Sequence, residues 1–142
     1  MAFFRVIKAS TTEAGAVSDA TMTDAIVELL YDSPAQFHLW MLDVTAAAAD
    51  SGDDLDVTVE GSLDGSLWFE VVSFTQVLGE GSAIQHYEPV QPNLNTNSFT
   101  GASTVAAGAS IAVFAKYYRV RWTITDTGAN SSFTFSVGVF AN

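Results

Sequence analysis

The chain contains no cysteine, and of its 142 residues only three are proline and only five are lysine or arginine. The absence of cysteine excludes thiol catalysis and zinc sites with cysteine ligands. No run of about 18 apolar residues occurs, so the sequence predicts no membrane-spanning helix. No basic leader precedes a long apolar core near the N-terminus, and we therefore expect no signal peptide.

Positive charge is scarce and unevenly placed. No lysine or arginine lies between Lys8 and Lys116, whereas fifteen of the sixteen acidic residues do, and the net charge is −11. Such a surface lacks the cations that neutralise phosphates, so we expect neither nucleic acid nor an anionic membrane as a partner. The negative charge keeps an otherwise apolar chain soluble, meets a basic partner surface, or holds neighbouring copies apart.

Alternation of apolar and polar residues is the main signal of secondary structure. Residues 55–60 (LDVTVE) alternate strictly, an Asp-Gly pair follows at 64–65, and residues 68–74 (WFEVVSF) are rich in Val, Phe and Trp. The pattern returns at residues 118–124 and 133–139. Period-two alternation between turn signals predicts an all-β fold, an antiparallel β-sandwich or jelly roll of about seven or eight strands.

Domain organisation follows from composition along the chain. Residues 1–24 are predicted to form an N-terminal arm. Residues 9–25, which are rich in Ala, Ser, Thr and Gly, leave two alternatives, an arm or an irregular first strand. Residues 25–142 are predicted to form a single β-sandwich domain, in which residues 25–31 form a strand, favoured over the alternative of a short helix. Residues 36–45 are apolar on both faces, as in a central strand covered on both sides or by a neighbouring subunit. Residues 79–108 form a functional loop or contain strands that the pattern does not reveal.

The hairpin around the Asp-Gly pair has two candidate registers. A two-residue turn would place Glu70 on the same face as Val57 and Val59, so a longer loop is favoured. The longer loop predicts one apolar face made of Leu55, Val57, Val59, Leu67, Phe69 and Val71. Trp68, Val72 and Phe74 then lie on the opposite face beside Glu60 and Glu70, where an apolar stripe needs a partner.

Four acidic residues in one turn are a candidate calcium site. Calcium takes several oxygen ligands, but this turn lacks the spacing of an EF-hand and its closing glutamate. A solvated turn is therefore the favoured interpretation, with calcium as the alternative. The residues concerned are Asp50, Asp53, Asp54 and Asp56.

No catalytic constellation is present in the sequence. His38 lies between Phe37 and Leu39, which is typical of a core histidine, and His86 has no nucleophile motif nearby. The serine-elbow, phosphate-loop and zinc-protease motifs are all absent. We therefore expect no enzymatic activity and no cofactor. An enzyme would require a pocket lined by His86 and carboxylates.

The two strand arginines are candidate contact residues. Arg119 and Arg121 alternate with apolar neighbours, so both side chains point away from the core. They either receive acidic groups from a neighbouring copy or pair with acids of their own chain. Together with the large aromatic residues they form the predicted set of subunit contacts, which is Trp40, Trp68, Phe74, Arg119 and Arg121.

Two segments resemble known families. Residues 62–68 (SLDGSLW) with 116–120 (KYYRV) are similar to the S-x-D-G-x-x-W hairpin and Y-x-R-[VI] strand of galactose-binding-like jelly rolls. The longer combination of residues 55–74, 118–125 and 133–137 looks more like small structural proteins of tailed bacteriophages. These are β-sandwich head or tail components, including capsid decoration (cement) proteins.

The phage resemblance implies a non-enzymatic virion protein made in the cytoplasm of a bacterial host. It implies binding to the major capsid protein or a neighbouring structural protein, and a homo-oligomer, with a trimer favoured. A capsid decoration role is the first interpretation, and a tail or neck component is the alternative. A carbohydrate-binding or adhesion module is a further alternative, which predicts an exposed aromatic residue such as Tyr87 or Phe99 at a loop end.

Overall fold

The computed structural model describes residues 3–14, 22–23, 27–28, 38–90, 115–125 and 131–141. These residues form ten strands and no helix: β1 Phe3–Ala14, β2 Met22–Thr23, β3 Val27–Glu28, β4 His38–Ala46, β5 Asp54–Ser62, β6 Phe69–Ser73, β7 Val77–Leu78, β8 Ile84–Val90, β9 Tyr117–Thr125 and β10 Ser132–Ala141. Three of the strands are only two residues long. The predicted antiparallel all-β fold is confirmed.

The strands form two antiparallel sheets. The first, called sheet A, has the order β1-β10-β4-β8, and the second, sheet B, has the order β2-β9-β5-β6. Short strands β2 and β3 pair with successive parts of β9, and β6 and β7 pair with successive parts of β5. The edge of sheet B that β6 and β7 form is therefore interrupted. Within the described ranges, no helix is long and apolar enough to cross a membrane.

The core lies between the two sheets. Alternate residues of β9 and β10 are buried, as the sequence pattern predicts. Aromatic rings connect the layers: the ring centres of Trp40 and Tyr118 are 5.1 Å apart, and those of Trp122 and Phe135 are 5.7 Å apart. Rings at these distances contribute directional contacts in addition to apolar burial.

The N-terminal residues differ from the predicted arm. Residues 3–14 form β1, which pairs with β10 from Phe3 opposite Ala141 to Ala14 opposite Ser132. Two register shifts interrupt the pairing, which is why its alternation is hard to recognise in the sequence. For residues 9–14 the structure therefore shows the second predicted alternative, an irregular first strand. The rest of the predicted arm, apart from Met22–Thr23 in β2, lies outside the described residues.

Other predicted segments are placed as follows. The strand predicted at 36–45 is β4, which is central in sheet A between β10 and β8. The strand predicted at 25–31 is described only at Val27–Glu28. In the stretch 79–108, β8 is a strand that the pattern did not reveal, because polar residues dominate this edge strand. Residues 91–108 lie outside the described residues.

The β5–β6 hairpin has the predicted longer loop but not the predicted faces. The loop runs from 63 to 68, and a register shift follows it, since Val59 lies opposite Val72 while Glu60 lies opposite Glu70. Val71 is the extra residue, and both Val71 and Val72 are buried. A bulge of this kind reverses the alternation beyond it. Phe74 is therefore in the core, and the prediction that Leu67 shares the apolar face is wrong, since Leu67 is 78% exposed.

Candidate interaction surfaces

A charged cluster occupies the outer face of sheet B. The Arg119 Nε donates to Glu60 Oε2 at 2.6 Å, and Arg121 contacts both Glu60 Oε1 at 3.0 Å and Glu70 Oε1 at 2.5 Å. The Arg119 guanidinium also lies 4.2 Å from the ring centre of Trp68. The Glu60 side chain is only 9% exposed, because the guanidinium groups cover it.

The arginines thus pair with acids of their own chain, which is one of the two alternatives predicted. The cluster joins β9, β5 and β6 across the outer face and contains two cations and two anions. Its charges balance locally, so it offers no strong field to a charged partner. About a quarter to a third of each arginine side chain remains exposed.

The motif at 62–68 has a structural explanation. Asp64 Oδ1 accepts hydrogen bonds from the backbone N–H groups of Ser66 and Leu67 at 2.8 and 2.9 Å, and Ser62 Oγ accepts one from Gly65 at 2.8 Å. The hydrogen bonds that the Asp64 carboxylate accepts from the backbone of Leu67 and Ser66, and from the Ser62 side chain, lower the pKa of Asp64. Gly65 adopts φ of 79°, which side chains disfavour. The serine, aspartate and glycine therefore hold the loop in shape.

Two of the predicted contact residues lie inside the chain's own core. Trp40 has no exposed surface and Phe74 has 1%. Their side chains offer nothing to a neighbouring subunit, so they are core residues. Trp68 is half-buried beside Arg119 and is the aromatic member of the predicted set that reaches the surface.

The acidic turn does not assemble a calcium site. Asp53 is buried, and its backbone carbonyl accepts a hydrogen bond from Gly79 at 2.7 Å. The Asp56 carboxylate accepts one from the Gln76 amide at 3.2 Å. Among the described residues, no group of three acidic or histidine side chains is arranged to hold a metal ion. The four aspartates, Asp50, Asp53, Asp54 and Asp56, are thus not brought together.

The two histidines occupy different environments. His38 is fully buried beside Trp40 and Tyr118, and its burial lowers its pKa to about 4, so it is neutral near pH 7. His86 lines an open groove of about 400 Å³ with residues 75–78 and 81–84. Among the described residues that line this groove there is no carboxylate, so these residues do not bring His86 and a carboxylate together in a pocket.

The outer face of sheet A carries an apolar area that the sequence revealed only in part. Two rows cross the sheet in register. In one, Val6 lies opposite Gly138, Gly138 opposite Met41, and Met41 opposite Tyr87. In the other, Phe4 lies opposite Phe140, Phe140 opposite Leu39, and Leu39 opposite Pro89. We call the following residues the apolar face: Phe4, Val6, Leu39, Met41, Tyr87, Gly138 and Phe140.

Four of the seven residues of the apolar face are exposed to solvent. Phe4, Val6, Tyr87 and Phe140 are 43–49% exposed, and the rings of Phe4 and Phe140 are 4.5 Å apart. A Cβ at Gly138 would lie 2.6 Å from the Phe4 ring, so glycine allows that ring to lie on the sheet. The pattern at 36–45, apolar on both faces, indicated the part of this surface on β4. The contributions of β1 and β10 depend on pairing between the two ends of the chain.

The other half of the same sheet surface is polar. Thr12 and Thr134 share a hydrogen bond of 2.8 Å between their hydroxyl groups. The Gln85 amide donates to Asp43 at 3.1 Å, and the Tyr87 hydroxyl donates to Gln85 at 3.0 Å. The outer surface of sheet A therefore changes from apolar to polar along its strands, with Tyr87 at the boundary.

Comparison with known proteins finds similarity in structure but not in sequence. No protein-family model and no curated protein sequence matches the chain. The fold is similar to a chain of the infectious bursal disease virus VP2 subviral particle, with a TM-score of 0.60 and 11% identity over 99% of this chain. A structure of the Gx strain of the same virus matches with a TM-score of 0.57 and 10% identity over 99%. The chain spans 32% of each of those longer chains.

Proposed function

We propose that this chain is a non-enzymatic structural protein of a virus particle, in which it contacts other virion subunits. The observation that carries the proposal is the likeness to a chain of the VP2 subviral particle over 99% of this chain. That chain is a component of a subviral particle, and the part of it that matches this chain has a similar fold. Because identity is only 11%, the proposal transfers the kind of role and no residue.

The apolar face supplies a surface suited to this role. A contiguous apolar area on one side of a sheet, rimmed by polar residues, is typical of a protein–protein contact. Arg119 and Arg121 are engaged with their own chain's acids, so the contact does not depend on them. Within the described residues, the charged cluster of sheet B stabilises the fold and the apolar face remains for association.

The particle we propose is that of a tailed bacteriophage, and the role is capsid decoration, with a tail or neck position as the alternative. The resemblance of residues 55–74 and 118–125 to such proteins supports this assignment. The protein would be made in the host cytoplasm and become part of the virion. The trimer favoured by the resemblance stays a prediction that a measurement of solution mass tests.

Immunogold electron microscopy tests the virion role directly. An antibody raised against the recombinant chain is applied to purified particles of the virus that encodes it, and a non-virion enzyme of the same genome provides the antibody control. Labelling of heads supports decoration, and labelling confined to tails or necks supports the alternative. Particles that contain none of this chain by labelling and by mass spectrometry would refute the proposal.

Carbohydrate binding is a second candidate, favoured by one observation. Tyr87 is 49% exposed and lies beside hydrogen-bonding Gln85 and Asp43, a combination of a ring face and polar groups that suits a sugar. The predicted Tyr87 is thus exposed, but on a strand rather than at a loop end, and Phe99 lies outside the described residues. If this candidate is correct, a glycan array gives a signal that Tyr87→Ala abolishes and Leu67→Ala, a loop variant, preserves.

A further inference from the structure

We propose that the groove beside β8 binds an extended segment of another protein, in which aliphatic residues alternate with lysine or arginine. The groove is the one of about 400 Å³ that residues 75–78, 81–84 and 86 line, and we call it the side groove. It lies on the inner side of β8, whereas the apolar face lies on the outer side of sheet A. This is a further binding site, and it does not depend on the virion role.

The side groove lies where the two sheets do not cover each other. The chain crosses from sheet B to sheet A between Leu78 at the end of β7 and Ile84 at the start of β8. Ile84 lies opposite the fully buried Val44, so both side chains are on the inner face of sheet A. Ile84 is nevertheless 42% exposed, because β7 extends sheet B by only two residues. An uncovered inner-face isoleucine favours an apolar side chain from a partner.

The backbone of β8 specifies an extended occupant. β8 is the last strand of sheet A, and among the described residues no strand pairs with its free side. It pairs with β4 over seven consecutive residues without a register shift, whereas two shifts interrupt β1 at the other edge. A regular edge strand presents N–H and C=O groups to which another strand can be added. Pro89 lacks a backbone donor, so the added strand pairs with residues 84–88.

The charges around the side groove favour a basic partner. Asp54 lies opposite the lining residue Leu78, and Asp56 accepts a hydrogen bond from the Gln76 amide, which also lines the groove. Glu80 is exposed in the turn between β7 and β8. The strands β4 to β8 contain no lysine or arginine, so no cation on them neutralises these acids. The acidic rim and the net charge of −11 both attract a segment that carries lysine or arginine.

The two faces of an added strand meet different surroundings, which is why its residues alternate in character. Successive side chains of a strand point to opposite faces of the sheet. Those on the inner face enter the side groove next to Ile84, where aliphatic groups are buried. Those on the outer face lie near the Asp43 carboxylate, which accepts a hydrogen bond from Gln85 at 3.1 Å. Lysine or arginine therefore suits the outer positions.

Isothermal titration calorimetry of the whole chain with synthetic peptides tests the site. The probe is a short peptide in which valine and lysine alternate, and the control peptide contains the same residues in two blocks. We expect the alternating peptide to bind at least about tenfold more tightly than the control, and its binding to weaken as salt is added. Equal affinities, or a dissociation constant of the probe above about 1 mM, would overturn the proposal.

Two N-methylated forms of the probe test the backbone pairing. Alternate N–H groups of an added strand point toward β8 and away from it, so methylation at every valine and methylation at every lysine block opposite edges. We expect one form to lose at least about tenfold in affinity and the other to retain the affinity of the probe. Equal affinity of the two methylated forms would show that no strand is added to β8.

A variant in the side groove locates the binding. We expect Ile84→Ser to bind the probe at least about tenfold more weakly than the wild type. The matched control is Leu63→Ser, which replaces a leucine that is 67% exposed on the β5–β6 loop and should leave the affinity unchanged. Equal affinity of both variants would overturn the site. Labelling of particles tests the virion role separately, so failure of either proposal leaves the other standing.

Discussion

Lys8 is a charged side chain in an aromatic part of the core. It is 1% exposed, and its ammonium group lies 4.4 Å from the ring centre of Phe135 and 5.0 Å from that of Trp122. It donates to Glu13 Oε1 at 3.0 Å and also to Thr11. Burial, the largest single influence, raises the pKa of Glu13, but the bonds from Thr11 and Lys8 and the lysine charge together lower it. The ion pair thus compensates the burial of the lysine.

Breaking this pair from one side should destabilise the protein. We expect Glu13→Gln to lower the free energy of unfolding by about 1–2 kcal/mol, because the buried ammonium loses its counter-charge. The double variant Lys8→Met with Glu13→Gln should recover most of the loss, since methionine fills the site without a charge. Urea denaturation measures both, with Asp54→Asn as the control for removal of one carboxylate. If Glu13→Gln and Asp54→Asn have the same free energy of unfolding, the pairing of Glu13 with Lys8 does not stabilise the fold.

His38 should make stability depend on pH. Its folded pKa of about 4 lies below the ordinary 6.5, so the unfolded chain binds a proton first as the pH falls. The free energy of unfolding then decreases between about pH 6.5 and pH 4, by at most about 3 kcal/mol. Urea denaturation across this range should show a shallower decrease in His38→Phe than in the wild type. Identical slopes in His38→Phe and the wild type would refute the assignment.

At the scale of the element, the β5–β6 hairpin shows how a loop and a bulge together set the exposure of side chains. Asp64, Ser62 and Gly65 define the loop, and the register shift at Val59 then directs both Val72 and Phe74 into the core. The loop residues are recognisable from the sequence, because their hydrogen bonds are local. The bulge is not recognisable from the sequence, because it depends on how β6 packs against β5 and the opposite sheet.

Gly65 carries the left-handed conformation of this loop. We expect Gly65→Ala to lower the free energy of unfolding by about 1–2 kcal/mol, because φ of 79° is unfavourable for a residue with a Cβ. Gly65→Asn should cost less, since asparagine tolerates this region. Thermal unfolding monitored by circular dichroism compares the two variants. We expect the melting temperature to be lowest for Gly65→Ala, higher for Gly65→Asn and highest for the wild type. A Gly65→Ala variant that melts at the wild-type temperature would show that the loop adopts another conformation.

At the scale of the whole molecule, pairing of β1 with β10 joins the two ends of the chain. Deletion of residues 1–14 would remove β1, the edge strand of sheet A, and expose β10. It would also remove Lys8 and leave a cavity beside Trp122. We expect the truncated protein to lose its cooperative thermal transition or to aggregate. Circular dichroism and light scattering measure both properties. An arm would be dispensable, so a truncated protein with the wild-type melting temperature would support the predicted arm.

The sequence by itself determined the all-β class, the strands β9 and β10, the central position of β4 and the longer hairpin loop. Each of these follows from local alternation or from a turn whose hydrogen bonds lie within a few residues. Only the tertiary structure decided that β1 is a strand, that Trp40 and Phe74 are buried, and that Arg119 pairs with Glu60. It also decided where the apolar face lies, since Phe4 meets Phe140 only after strands from opposite ends of the chain have paired in register.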